Sequence, residues 1–275
     1  MRLVVASLAA LVASACAHKP LAGADLDRVR QVAFLARIAE DAGPKSTVFR
    51  DDSSYRPKLA PRRIDDAEAD RRLALVLAQG NKPDAKRNIK ATRTMSRFEV
   101  ADTLRAETLG RLPDEAPWRG VIDPVLVARS LESFLVQEVP ANAPDYERLR
   151  QHEVDTIVEI VVEDFGMRSE DGKAGVYLRG FARMFRLDGG ELYHRFFFSD
   201  DLKAGLEPLD PFKVARDASI YTGRLKQILL GVADQIAKDL NPPERRPPTP
   251  GAMPDDGPPK RFTPDQPPLP EDDPL

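Results

Sequence analysis

The chain has 275 residues, 42% hydrophobic and 31% charged, so it carries enough apolar material to bury a substantial core. Its 41 basic and 44 acidic side chains nearly balance, which excludes the strong basic excess of a nucleic-acid binder. A single cysteine, Cys16, excludes an internal disulfide framework and any multi-cysteine zinc or iron–sulfur site.

Residues 1–15 read as a targeting segment. Arg2 supplies a minimal positive charge, Leu3 to Val12 is an apolar run interrupted by Ser7 alone, and Ala13-Ser14-Ala15 offers the small residues a signal peptidase needs. The apolar run is far shorter than the ~20 residues a spanning helix requires, so the segment is a signal rather than an anchor. Ala13-Ser14-Ala15-Cys16 resembles the lipobox of bacterial lipoproteins, with Ala where the usual pattern has Leu. That resemblance implies cleavage before Cys16, a thioether-linked diacylglycerol on its sulfur and an N-acyl chain. Several acyl chains, at ~0.8 kcal/mol per buried methylene, hold a protein at a membrane where one would not. The competing reading is an ordinary secretory leader that leaves a free thiol. Ala17 lacks the acidic side chain associated with inner-membrane retention, so the expected address is the outer membrane, facing the periplasm.

Residues 16–25 are expected to be a lipid-anchored tether and 26–240 the folded body. Val29–Ile38 is apolar and partly alternating, a first strand. Residues 41–63 are rich in Pro, Ser, Asp and Arg without period and read as a long loop. Asp65 or Asp66 can cap a helix to about Gln79, closed by Gly80, with Leu73, Val76 and Leu77 on one face. Ser96 and Glu99 have the spacing of a capping box and open a second helix to about Leu112. Asp123-Pro124 is an N-cap and N1 pair for a third, to about Glu138, with Val127, Ala128, Leu131, Phe134 and Leu135 at helical spacing. A short helix around Tyr146–His152 follows.

The pattern then becomes β-rich. Thr156–Phe165, Val176–Leu187 and Leu192–Ser199 are separated by Arg168–Gly175 and by Asp188-Gly189-Gly190, whose glycines suit a tight hairpin. They predict an antiparallel meander. Pro211–Leu240 reads as helical, with Leu225, Ile228, Leu229, Val232, Ile236 and Leu240 on one face, ended by Asn241-Pro242-Pro243. The expected fold class is α+β: an antiparallel-rich sheet with helices packed on one face. From Pro242 onward 13 of 34 residues are proline, so residues 241–275 are expected to form a disordered proline-rich tail.

Val154-Asp155-Thr156-Ile157-Val158-Glu159, Ala182–Leu187 and the Asp188-Gly189-Gly190-Glu191-Leu192 turn, before a long terminal helix, resemble the periplasmic domain of curli-secretion lipoproteins. They are also similar to the lipoprotein activators of penicillin-binding proteins. The likeness covers about a fifth of the chain securely, its motifs are structural, and no functional residue transfers from it.

Chemistry-bearing patterns are sparse. His18 lies in the tether, and His152 and His194 read as structural residues of a helix end and a strand, without the i, i+4 histidine pair of a helical zinc site. No nucleophile elbow, phosphate loop or dinucleotide fingerprint occurs. Glu159 and Glu163 share one strand face, and Arg179 and Arg183 one face of the next. Cross-strand ion pairs are the expected outcome, with acid–base catalysis by the two carboxylates as the alternative. Lys82, Lys86, Lys90, Arg93 and Arg97 recur at intervals of 4, 4, 3 and 4, which on a helix makes a basic stripe for an anionic partner.

The expected function is therefore a non-catalytic binding or assembly accessory of the cell envelope, without metal or cofactor. It would be held to the membrane through Cys16 and would contact an envelope protein or peptidoglycan, not nucleic acid. The alternatives are an envelope hydrolase built on the paired carboxylates and a peptidoglycan tether acting through the tail.

Overall fold

A computed structural model describes residues 18–131, 136–139 and 145–243. The leader, Cys16, Phe134 and Leu135 of the third predicted helix, and the tail from Glu244 lie outside the described residues.

Strands β1 (Val32–Ala39), β2 (Pro44–Ser46), β3 (Val136–Val139), β4 (Thr156–Glu170), β5 (Lys173–Arg186) and β6 (Glu191–Asp200) form one mixed sheet. Its order is β3-β1-β4-β5-β6, with β2 beside the far part of β4. The predicted meander is present: β4, β5 and β6 pair antiparallel in succession and make the sheet mostly antiparallel. Both strands of the first hairpin run further than expected, and only Asp171-Gly172 separates them. Their φ values of 51° and 76° suit the two central positions of a type I′ turn.

β1 pairs parallel with both β3 and β4 and is buried along nearly its whole length. That explains its near-continuous apolar sequence, since a strand covered on both faces has no wet side on which to alternate. Val32, Phe34, Ala36 and Ile38 join the main core, while Ala33 and Leu35 join a smaller one on the opposite face.

The main core is closed by three long helices: α1 (Asp66–Gln79), α2 (Arg97–Leu109) and α4 (Ser219–Leu240). Local chemistry sets their ends. The Asp65 side chain accepts from the Glu68 amide at 2.7 Å, and Ser96 and Glu99 complete the capping box reciprocally. On α4, Tyr221, Leu225, Ile228, Leu229, Val232, Ile236 and Leu240 are buried, the i, i+3/i+4 stripe read from sequence.

The third predicted helix is shorter than its pattern. Helix α3 covers Pro124–Ser130 only, and the residues expected to continue it include β3. Parallel pairing with β1 overrides the local helical spacing. With the 3-10 turn Tyr146–His152, α3 covers the second face of the sheet over β1 and the start of β4. The predicted loop over 41–63 is also corrected. It contains β2, helical turns at Val48–Asp51 and Arg56–Leu59, and buried Val48, Phe49, Tyr55 and Leu59. A buried anion organises it: Asp70 on α1 accepts from Ser46 Oγ at 2.6 Å and from the amides of Phe49 and Arg50 at 3.1 and 3.0 Å.

From His18 onward, the segment read as a tether is tied to the body. Lys19 and His194 exchange backbone hydrogen bonds of 2.8 and 3.0 Å at the free edge of β6, and Leu21 and Leu26 are buried.

Candidate functional site

Two features on the second face of the sheet concentrate the polar and aromatic chemistry. The first is an ion cluster around Glu159 on β4. Its side chain is fully buried, yet it meets two guanidinium groups: Arg37 Nη1 at 2.7 Å from Oε1 and Arg183 Nε at 2.6 Å from Oε2. The Tyr146 hydroxyl also donates to Oε1. Arg37 is buried on β1, whereas Arg183 on β5 reaches partly to solvent. Burial pushes the Glu159 carboxyl up, but the Tyr146 hydrogen bond and the two guanidinium groups outweigh it and hold the group below the ordinary carboxylate range. Burial and the adjacent anion push the Tyr146 hydroxyl far up, so it remains a donor.

The predicted cross-strand pairs both form. Arg183 lies in register with Glu159, and Arg179 Nε stands 3.5 Å from Glu163 Oε2. The two pairs are unlike each other, however. The register shifts between Val162 and Asp164, so Glu163 occupies a bulge and is partly exposed, whereas Glu159 is sealed. The partner that sequence reading missed is Arg37. Its signal was one cation inside the otherwise apolar Val32–Ala39 run, a residue type almost never fully buried unless paired.

The second feature is the part of this face that α3 leaves open. On β5 and β6 it presents Phe181, His194, Phe196 and Phe198, with Phe196 and Phe198 47% and 48% exposed. The rings form a chain: His194 to Phe196 at 4.7 Å, Phe181 to His194 at 5.5 Å and Phe181 to Phe196 at 5.9 Å between centroids. Cations lie over them, Arg183 at 5.9 Å from the Phe181 ring and Lys203 at 5.0 Å from Phe198. Arg168 is also near Phe198, at 5.9 Å, while its Nε binds Asp200 at 2.6 Å. Strand alternation turns Phe196 and Phe198 outward and Phe197 into the main core.

The other predicted site residues are dispersed. Lys82, Lys86, Lys90 and Arg93 are exposed but no helix carries them: only a 3-10 turn at Ala85–Arg87 interrupts an irregular segment, and α2 begins at Arg97. The helical basic stripe is therefore corrected. Pro83 disfavours helical backbone at Lys82, Asp84 caps the short turn, and Asn88 leaves it in the left-handed region at φ 53°. Arg93 pairs with Glu99, and Arg97 Nη1 donates to the Glu40 carbonyl at 2.7 Å. His152 Nε2 lies 2.7 Å from Ser130 Oγ at the end of α3, and His194 Nδ1 lies 3.6 Å from Glu191. Among the described residues no group of acidic, His or Cys side chains has the arrangement of a metal site, and no helix is long and apolar enough to cross a membrane.

No protein-family model matches the chain, and no curated protein is significantly similar to it.

Proposed function

We propose that this chain is a lipid-anchored accessory of the cell envelope whose body binds another envelope component and performs no chemistry. It would be cut before Cys16, acylated on that residue and held at the outer membrane with its body in the periplasm. Support for the anchor comes from the apolar leader ending in Ala13-Ser14-Ala15-Cys16.

The observation that carries the non-catalytic reading is the state of Glu159. A general base needs a free lone pair within reach of a substrate proton, and a general acid needs a raised pKa. Glu159 offers neither: both oxygens are engaged by Arg37, Arg183 and Tyr146, the side chain is sealed, and its pKa is lowered. Glu163, in the bulge, is left without a carboxylate partner of opposite role. The cluster instead ties β1, β4, β5 and the Tyr146 turn together beside the open aromatic patch.

Mass spectrometry of the mature protein tests the anchor directly. The expected product begins at residue 16 and carries diacylglycerol and an N-acyl chain, while an unmodified thiol or a retained leader would overturn it. Complementation of a deletion strain tests the absence of chemistry. Glu163→Gln should restore the wild-type envelope phenotype fully, and its failure to do so in a folded variant would favour the hydrolase.

A further inference from the structure

We infer that the open aromatic face of β5 and β6 rests on the lipid surface to which the chain is anchored, with Phe196 and Phe198 entering the interface. This rests on the lipoprotein reading and adds an orientation to it.

Three observations point to a bilayer as the occupant. The first is reach. His18 is the first described residue, and its Nδ1 lies 3.2 Å from the His194 carbonyl on β6. Cys16 is two residues further back, at most about 7 Å of extended chain. The second is direction. Lys19 pairs antiparallel with His194, so the chain traced from Lys19 back to His18 runs toward Phe196 and Phe198. Acyl chains on Cys16 would therefore enter the membrane close to the stretch of the β6 edge that carries these rings.

The third is the chemistry of the face. Exposed rings bordered by guanidinium and ammonium groups suit the boundary between headgroups and acyl chains, where apolar area is buried while polar tips stay hydrated. Its cations are largely matched by carboxylates, Arg183 by Glu159, Arg168 by Asp200 and Arg179 by Glu163. Contact should therefore depend on apolar insertion and occur on neutral as well as anionic lipid. Two rings are a small apolar area, but a short tether holds them at a local concentration of order mM, which converts a weak affinity into occupancy.

The test uses the mature chain, residues 16–275, with a synthetic diacyl-maleimide lipid coupled to Cys16, its only thiol. It is then read out whether or not the native protein is acylated. Phe198→Trp reports on the open face and Leu230→Trp, 40% exposed on α4, on the opposite layer; buried Trp118 is common to both. On phosphatidylcholine vesicles containing brominated lipid, the indole of the Phe198→Trp variant should shift to the blue and lose most of its emission. The indole of the Leu230→Trp variant should be unchanged. The same should hold when phosphatidylglycerol is included. If both probes keep their emission while the protein floats with the vesicles, the orientation is wrong and the lipoprotein reading stands untouched. If the Phe198→Trp probe is shielded from iodide without vesicles and deletion of residues 244–275 exposes it, the tail covers this face and the inference also falls.

Discussion

Replacing Glu159 with Gln keeps shape and removes one charge, which makes it the cleanest perturbation of the buried cluster. Arg37 then remains sealed without a counter-ion, since Arg183 is a cation and Tyr146 a neutral hydroxyl. Breaking a buried pair from one side typically costs about 3–5 kcal/mol, a large share of the roughly 5–15 kcal/mol that stabilises a domain. For a body of this size that lowers the melting temperature by about 6–20 °C. Removing both buried partners together, with Arg37→Met and Glu159→Leu, should cost much less, because the transfer of the charges from water is relieved on both sides. The assay is urea denaturation of Glu159→Gln and of the four members of the Arg37→Met, Glu159→Leu cycle, read as the change in midpoint at constant m-value. The folded pKa of Glu159 is depressed, so its contribution is present above the ordinary carboxylate value and is lost as pH falls through the lower folded value. The cost of Glu159→Gln should therefore be greatest at neutral pH and shrink in acid. A loss below about 1 kcal/mol at pH 7, within the range of an exposed pair, would refute the claim that this cluster is a sealed structural tie.

Asp201 behaves oppositely. Burial raises its pKa, only partly offset by Arg224, so the folded state disfavours its charged form, and stability is lost as pH rises from the ordinary carboxylate value through the raised one. Asp201→Asn should gain on the wild type across that rise, as read by thermal melts at a series of pH values; a pH-independent difference would contradict it. Gly80 closes α1 at φ 74°, and an added Cβ would fall 1.9 Å from the Thr92 carbonyl, so Gly80→Ala should lower the urea midpoint by at least about 1 kcal/mol equivalent. Lys82, Lys86 and Lys90 are exposed, and reversing all three to Glu should change stability by no more than about 0.5 kcal/mol each. A larger loss would place them in packing contacts that the irregular segment does not show.

What the residues determined without help from the fold was mostly local. Asp65, Ser96 with Glu99, and the apolar stripe of α4 specify helices through interactions a few residues apart; the first two stand almost as read, whereas the helix expected from Pro211 is divided into a turn at Pro211–Val214 and α4 from Ser219. Alternation and turn glycines likewise specified the β4–β5–β6 meander. The paired faces of Glu159 and Glu163 with Arg179 and Arg183 followed from the same period of two.

Tertiary structure decided whatever depended on distant residues. Val136–Val139 continues a helical pattern yet forms β3, because parallel pairing with β1 satisfies a row of backbone groups that a longer α3 would leave open. The 41–63 segment acquires order from Asp70, whose carboxylate collects amides 20 and 21 residues away. Lys82 to Arg97 lost its helix to Pro83 and a left-handed Asn88. Arg37 and Glu159 lie 122 residues apart, and only the adjacency of β1 and β4 makes them an ion pair. Nothing in either local sequence carries that adjacency, because the free energy that selects it comes from burying both strands in one sheet.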